Sequence, residues 1–167
     1  MVRVWCMEQS PTLLARLTAQ SRFTSPGYLL ATIGKTADLW IAEAMEPLGL
    51  LPREGAALLV LRSHGELTQA RLGHHLGVDA NTLVMILKKL ESRGLVERRR
   101  DPVDRRRHLV GITVEGDDLR SQVDAAVEQV EARLLRRLDE DEMVTLRELL
   151  FLVDDVVGRH RRLAEDP

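Results

Sequence analysis

The sequence from residue 66 to residue 94 predicts two short helices separated by a tight turn. Thr68 is the expected N-cap of a helix of about two turns, and Gly77 supplies the turn that follows it. Asp79 is the expected N-cap of the next helix, which Gly94 ends. Units this short are typical of a helix-turn-helix and not of a helical bundle.

The second of these helices has one apolar face and one mixed face. The apolar face, which we expect to be buried, holds Leu83, Ile86, Leu87 and Leu90 at spacings of three and four. The opposite face holds Asn81, Val84, Met85, Lys88 and Ser92. In the major groove of a duplex, Val84 and Met85 can pack against thymine methyl groups, and Asn81 can bind adenine. The alternative is that Val84 and Met85 pack against a neighbouring helix or hairpin.

The charge of the chain is distributed unevenly, although the formal net charge is only −2. Residues 61–112 carry 11 Lys or Arg against 6 Asp or Glu, whereas residues 113–167 carry 8 against 15. A basic segment within an acidic chain predicts a polyanionic partner. All five aromatic residues lie outside this segment, and single-strand binders stack bases on aromatic rings. We therefore expect double-stranded DNA.

Residues at the starts of the two short helices suit the phosphate groups of such a duplex. Thr68 and Gln69 open the first helix, and Asn81 and Thr82 lie in the first turn of the second. Backbone N–H groups and hydroxyls at helix N-termini bind phosphate oxygens.

Two β-like segments, Leu95–Arg100 and His108–Thr113, predict a hairpin around the turn-forming residues 101–104. Six arginines crowd it, namely Arg98, Arg99, Arg100, Arg105, Arg106 and Arg107. A weakly hydrated guanidinium enters a narrow minor groove readily, and a nearby aspartate such as Asp104 can hold it in position. The alternatives are a solvated charged hairpin, or a hairpin that binds an acidic protein partner instead of DNA.

Longer helical patterns flank this basic segment. From Tyr28, apolar residues at three- and four-residue spacing predict a helix with a buried face, comprising Leu30, Ile33, Ala37, Trp40, Ile41, Ala44 and Leu48. Pro52 opens a helix whose expected core face is Ala56, Leu59, Val60 and Ser63. Two long helices end the chain, and Asp139 with Glu142 forms a capping signature for the last. Their apolar stripes are too wide for a small module to bury, so the pattern predicts self-association.

Several classes of protein are excluded by what the sequence lacks. The longest apolar run, residues 56–61, is too short for a membrane span, and we expect a cytoplasmic protein because the first residues lack the apolar stretch of a secretory signal. The sequence contains no Gly-rich phosphate loop, no G-x-S-x-G and no H-E-x-x-H, so we expect neither an enzyme nor a cofactor. His74 and His75 are adjacent on a helix and diverge by about 100°, so no metal site is expected.

Some of these residues carry a resemblance to a known family. Residues 101–106 read Asp-Pro-Val-Asp-Arg-Arg, and residues 112–116 read Ile-Thr-Val-Glu-Gly. Together with Leu67-Thr68-Gln69-Ala70 and the order of elements, they resemble the MarR family of winged-helix transcriptional regulators. The resemblance spans residues 28–158.

The resemblance implies a mainly α fold with a small β-wing, in which a winged helix-turn-helix joins a helical dimerisation region. It divides the single domain 1–167 into an N-terminal extension (1–27), dimerisation helices (28–50 and 115–163) and a DNA-binding module (52–114). The implied function is a sequence-specific repressor that binds a pseudo-palindromic operator as a homodimer. Asp104 would orient Arg106 in the minor groove, with Arg100, Arg105 and Arg107 nearby.

The resemblance also implies relief of repression by a small-molecule effector. Its pocket would lie where the dimerisation helices meet the DNA-binding module. Trp40, Met45 and His64 are the candidate lining residues.

We expect Arg106→Ala to weaken operator binding at least about tenfold, on the order of 1.4 kcal/mol. The effect would arise because a narrow minor groove is left without its cation. A gel-shift titration of the two proteins on one duplex measures the change. Unchanged affinity would contradict the assignment of the wing.

Overall fold

The computed structural model describes residues 25–100 and 108–165, and it is mainly helical with one small sheet. The helices are α1 (Pro26–Met45), α2 (Pro52–His64), α3 (Gln69–Leu76), α4 (Ala80–Ser92), α5 (Val114–Leu135) and α6 (Glu140–Glu165), and the strands are β1 (Leu67–Thr68), β2 (Val96–Arg100) and β3 (His108–Ile112). The predicted fold class is therefore confirmed. The chain forms two compact units, whose boundary falls after Val127 within α5. The predicted N-terminal extension lies outside the described residues, apart from its last three.

The predicted caps of the two short helices are confirmed. Thr68 Oγ1 accepts a hydrogen bond of 3.4 Å from the Arg71 amide at the start of α3. Asp79 Oδ1 accepts one of 2.9 Å from the Thr82 amide at the start of α4. Gly77 follows α3 with φ +61°, a left-handed conformation that glycine adopts without steric strain.

The apolar face of α4 is at the centre of the core, as predicted. Its four residues, Leu83, Ile86, Leu87 and Leu90, are each at most 7% exposed. They belong to one cluster with Leu58 of α2, Leu72 of α3 and Val110 of β3. Complete burial of one leucine or isoleucine side chain contributes about 1.5–3 kcal/mol. Burial of all four therefore fixes the rotation of α4 about its own axis.

The sheet contains three strands, although the sequence predicted only a hairpin. Strands β2 and β3 form that hairpin, and β1 adds to the other edge of β3 in the order β1-β3-β2. All pairings are antiparallel, with Leu67 opposite Val110 and Thr68 opposite Leu109. Strand β1 is only two residues long, so it has no alternation that a sequence pattern could detect.

Thr113 and Gly116 join the sheet to α5. The Thr113 hydroxyl donates to the Gly94 carbonyl at 2.7 Å and accepts from the Gly116 amide at 3.0 Å. The Thr113 amide donates to the Leu95 carbonyl at 3.2 Å. The end of the sheet is therefore fastened to the turn that ends α4.

The prediction that α1 buries its apolar face is wrong for the single chain. Leu30 and Ile33 are 41% and 47% exposed, and the later members of the face are half-buried. Met45, outside the predicted face, is the buried residue of α1. Periodicity identifies an apolar face but does not say what covers it.

The predicted core face of α2 is also wrong. Ala56, Leu59 and Val60 are half-buried and Ser63 is exposed. The buried residues are instead Glu54, Gly55, Ala57, Leu58 and Leu61. Every residue from 56 to 61 is apolar, so the pattern is compatible with several faces, and packing against the neighbouring helices selects one.

The predicted cap of the last helix is confirmed in both directions. The Glu142 amide donates to Asp139 Oδ1 at 2.9 Å, and the Asp139 amide donates to Glu142 Oε2 at 3.0 Å. Met143 and Leu146 in the first turns of this helix are half-buried, whereas Leu149 and Leu150 are 56% and 41% exposed. In the part of the chain that the structure describes, no helix is long and apolar enough to cross a membrane.

We expect Gly116→Ala to lower the free energy of unfolding by about 3 kcal/mol, because overpacking against backbone is not relieved by a rotamer change. A Cβ at residue 116 would overlap the Leu95 carbonyl oxygen and come within 2.8 Å of Ile112 Cγ1. Urea unfolding at a fixed protein concentration measures the decrease. Gly27→Ala is the matched control, since nothing lies within 4 Å of its Cβ position. Equal stability of the two variants would contradict this packing.

Candidate nucleic-acid interface

The outer face of α4 is open to solvent, as the sequence predicted. Asn81, Lys88 and Ser92 are exposed, and the apolar side chains of Val84 and Met85 are 46% and 74% exposed. Within the described residues, no helix or strand buries Val84 or Met85. Two exposed apolar side chains beside an amide and a cation form a surface that can contact base edges in a groove.

The first turn of α4 is held by Asp79 and Thr82. The Thr82 hydroxyl donates to Asp79 Oδ2 at 2.7 Å, and the Thr82 amide donates to Oδ1. These bonds, the hydroxyl first, lower the pKa of Asp79 below its ordinary value. The half-buried Thr82 therefore uses its hydroxyl hydrogen inside the cap and not toward solvent.

The start of α3 lines an open cleft beside the sheet. Thr68 and Gln69 are half-buried, and both lie on this cleft of 740 Å³ together with Arg71 and His108. The bond from the Arg71 amide uses the Thr68 oxygen as acceptor, so the hydroxyl hydrogen can be donated outward. Sequence reasoning missed Arg71 and His108, which α3 and β3 bring to the same cleft.

The arginines of the hairpin fall into different environments. Arg98 forms an ion pair of 2.6 Å with Glu91 of α4, and Arg99 pairs with Glu66. These two arginines are therefore paired with carboxylates of the chain itself. Arg100 is exposed at the end of β2. Asp104, Arg105, Arg106 and Arg107 lie outside the described residues.

Two other cations, Lys89 of α4 and Arg93 at its C-cap, bind the first turn of α2 and the connection before it, which sequence reasoning did not predict. Lys89 Nζ lies 3.0 Å from Glu54 Oε1, and Glu54 is only 2% exposed. Arg93 donates to the carbonyl oxygens of Gly49 at 2.8 Å and Leu48 at 3.1 Å. The position of Glu54 in the first turn of α2 is a capping signal, but its partner on α4 is distant in sequence.

The three candidate effector residues lie in different surroundings. Met45 is 1% exposed, and its Sδ lies 3.1 Å from where a Cβ on Gly55 would be. Trp40 is half-buried on α1, and His64 is exposed at the end of α2. None of them lines the 620 Å³ cleft beside α4, whose walls are Asp38, Leu51, Pro52, Arg53, Glu54, Thr82, Met85, Ile86 and Lys89. Their role stays a prediction.

The histidines near the helix-turn-helix are on the surface, as expected from the sequence. The ring centroids of His64 and His75 are 4.3 Å apart, and His64 Nδ1 lies 3.1 Å from the Val60 carbonyl oxygen. Desolvation, then the nearby His64, His74 and Arg71, lowers the pKa of His75. Among residues 25–100 and 108–165, no group of three or more His, Cys, Asp or Glu could hold a metal ion.

Known proteins share the order and geometry of these elements. The family model described as "MarR family" matches residues 48–107. The multiple antibiotic resistance protein MarR of Escherichia coli is 30% identical over 125 residues, which cover 74% of this chain and 87% of that protein. An HTH-type transcriptional repressor of Mycobacterium tuberculosis is 32% identical over 112 residues, which cover 67% of this chain and 81% of that protein.

Solved structures show the same fold. A mutant MarR from Escherichia coli, complexed with operator DNA, has a TM-score of 0.69 and 28% identity, and the match covers 82% of this chain and 96% of that one. A MarR-family transcriptional regulator from Rhodococcus has a TM-score of 0.69 and 30% identity, with 74% and 88% covered. The similarity therefore extends well beyond the helix-turn-helix.

Proposed function

The chain belongs to the MarR family of transcriptional regulators, and we propose that it is a cytoplasmic repressor that binds a pseudo-palindromic operator as a homodimer. The observation that carries this proposal is the open outer face of α4, where Val84 and Met85 are exposed beside Asn81 and Lys88. We call α4 the recognition helix from here on. One of the similar structures is a complex of MarR with operator DNA, which supports a duplex as the partner.

Within this proposal, the recognition helix enters the major groove. Met85 and Val84 contact thymine methyl groups, Asn81 binds adenine, and Lys88 binds a phosphate. Thr68 and Gln69 at the start of α3 contact the DNA backbone through their N–H groups or side chains. Thr82, whose amide and hydroxyl both donate to Asp79, holds the first turn of the recognition helix in place for these contacts. Exposure of Asn81, Lys88 and Met85 on one side of a single helix supports simultaneous contact with one groove.

The wing is assigned to the adjacent minor groove. Arg100 is exposed at the end of β2, where the strand leads into the segment carrying Asp104, Arg105, Arg106 and Arg107. The ion pairs of Arg98 and Arg99 stabilise the base of this wing. Arg100 is thus the described arginine of the wing that is available to a phosphate or a groove.

The homodimer is supported by exposed apolar faces in each of the two units. In the first unit, α1 exposes Tyr28, Leu29, Leu30 and Ile33 at 41–47%. In the second unit, α6 exposes Leu149, Leu150, Phe151, Leu152 and Val153 at 41–69%. Apolar faces of this extent mark interaction surfaces. A symmetric pair of chains places two recognition helices on half-sites about one helical turn, ~10 bp, apart.

The 620 Å³ cleft beside the recognition helix is the proposed site of a small-molecule effector. Its walls include Thr82 and Met85, which also belong to the proposed DNA-binding surface. Bound DNA and a bound ligand would therefore compete for the same side chains. A ligand shifts the equilibrium only by the difference in its affinity for the two states, and direct competition for Met85 supplies such a difference.

We expect Met85→Ala to relax base preference more than it weakens overall binding. Removal of one apolar contact should reduce discrimination at the contacted base pair about fivefold, about 1 kcal/mol. The measurement is selection from random duplexes by the wild type and the variant, followed by titration of single-base variants of the selected site.

The control is Met85→Leu, which keeps an apolar side chain of similar volume and should keep the preference. A Met85→Ala protein whose affinity falls by the same factor on every sequence would contradict major-groove contact by this residue. A wild type that selects no duplex would overturn the proposed function.

We expect Phe151→Lys to raise the dissociation constant of the dimer at least about thirtyfold, about 2 kcal/mol. Phe151 is 68% exposed on α6, and each dimer would bury this position twice, so the substitution places two charges in the interface. Sedimentation equilibrium over a range of concentrations measures the change. Ser63→Lys, at an exposed position of α2 outside the dimerisation helices, adds the same charge and should leave the dimer intact. A Phe151→Lys protein that dimerises like the wild type would contradict this interface.

A further inference from the structure

Two cations on one side of the recognition helix bind the chain itself. Lys89 and Arg93, the residue that caps the helix, are four residues apart, so they lie one above the other. That side flanks the exposed face carrying Met85 and is distinct from the buried face carrying Leu83 and Leu90. Lys89 binds Glu54 in the first turn of α2, and Arg93 binds the connection that joins α1 to α2.

Lys89 neutralises a buried carboxylate. Glu54 is 2% exposed, and its Oε1 lies 3.0 Å from Lys89 Nζ while its Oε2 accepts the Leu51 amide at 2.9 Å. Removing the cation leaves a buried charge without a partner, which is strongly unfavourable. If Lys89 turned toward a phosphate, the buried Glu54 carboxylate would lose its cation and the fold would be destabilised.

Arg93 binds the connection that precedes α2. Its Nη1 donates to the Gly49 carbonyl oxygen at 2.8 Å, and its Nη2 donates to the Leu48 carbonyl oxygen at 3.1 Å. Gly49 has φ +65° and ends the 3-10 turn that follows α1. A planar guanidinium that bonds two adjacent carbonyls fixes both direction and distance.

We propose that Lys89 and Arg93 are positioning residues that clamp the recognition helix to the start of α2 and to the connection before it, and so set the separation of the two recognition helices in the dimer. This inference rests on the proposed function, in which α1 belongs to the dimerisation region. The clamp consists of Lys89, Arg93, Glu54 and the carbonyls of residues 48 and 49. It fixes the recognition helix relative to the element that pairs the chains, and it makes no contact with DNA.

Lys88 provides a matched control on the same helix. It is exposed and makes no ion pair with any residue of the described ranges. Successive residues of a helix diverge by about 100°, so Lys88 lies with Met85 on the outer face and Lys89 lies on the flank. Of the two lysines, only Lys88 is therefore expected to contact a phosphate.

The first experiment measures operator affinity against salt concentration for Lys88→Met, Lys89→Met and the wild type. Removing one phosphate–lysine interaction reduces the slope of log K against log salt by about one. Lys88→Met should reduce it by about one per half-site, whereas Lys89→Met should leave it unchanged. A reduced slope for Lys89→Met would show that Lys89 binds a phosphate, and it would overturn the clamp.

The second experiment tests positioning with the double variant Glu54→Gln/Lys89→Met. The glutamine keeps an acceptor for the Leu51 amide, and no unpaired charge remains buried, so we expect the variant to fold. Affinity is measured on the selected operator and on operators whose half-sites are one base pair closer or farther. The wild-type discrimination between these spacings should fall at least about threefold in the double variant, about 0.7 kcal/mol, and Arg93→Met should act in the same direction.

A uniform decrease in affinity on all three operators would indicate a structural role alone and would overturn the inference. Circular-dichroism melting shows whether each variant folds. If the double variant Glu54→Gln/Lys89→Met does not fold, Glu54→Gln/Lys89→Gln replaces it. A wild type that selects no duplex is seen before any variant is tested, and that result overturns the proposed function itself. Intact DNA binding with unchanged spacing preference in the variants overturns only the clamp.

Discussion

Burial of one apolar stripe on the recognition helix is the constraint on which the rest of the structure depends. Leu83, Ile86, Leu87 and Leu90 must all be removed from water, and a helix can do this only in one rotation about its axis. That rotation leaves Val84 and Met85 in solvent. The outer face is exposed as a consequence of how the inner face packs. Fold and candidate site are thus determined by the same four side chains.

Tertiary contacts divide the described cations of the recognition helix, its C-cap and the wing into two groups. Lys89, Arg93, Arg98 and Arg99 bind carboxylates or carbonyls of the chain, whereas Lys88 and Arg100 face solvent. The exposed pairs contribute at most about 1 kcal/mol each to stability, because water screens them. These ion pairs and hydrogen bonds affect geometry more than stability, because they fix the positions of the wing and of the recognition helix. The cations left in solvent are those that a polyanion can bind.

The exposed apolar residues of α1 and α6 explain why the single chain has a limited core. Its buried cluster is centred on α2, α3, α4 and the sheet, while Ile33 and Phe151 are 47% and 68% exposed. Complete burial of such side chains would contribute about 1.5–3 kcal/mol each. A second copy of the chain, presenting the same faces, is the partner that two-fold symmetry would supply. The prediction of a buried face on α1 identified the apolar residues correctly, but the single chain does not cover them.

The sequence alone determined the local features, because caps and periodicity depend on residues a few positions apart. Thr68, Asp79, Gly77 and the stripe of the recognition helix were readable in this way, as was the D-P-V-D-R-R segment that carried the family resemblance. Only the tertiary structure selected the buried face of α2, added β1 to the sheet and paired Glu54 with Lys89. These features join residues that are far apart in sequence. Each of these residues could pair with several others, and the packing of the helices decides which one it contacts. No local sequence pattern contains that information.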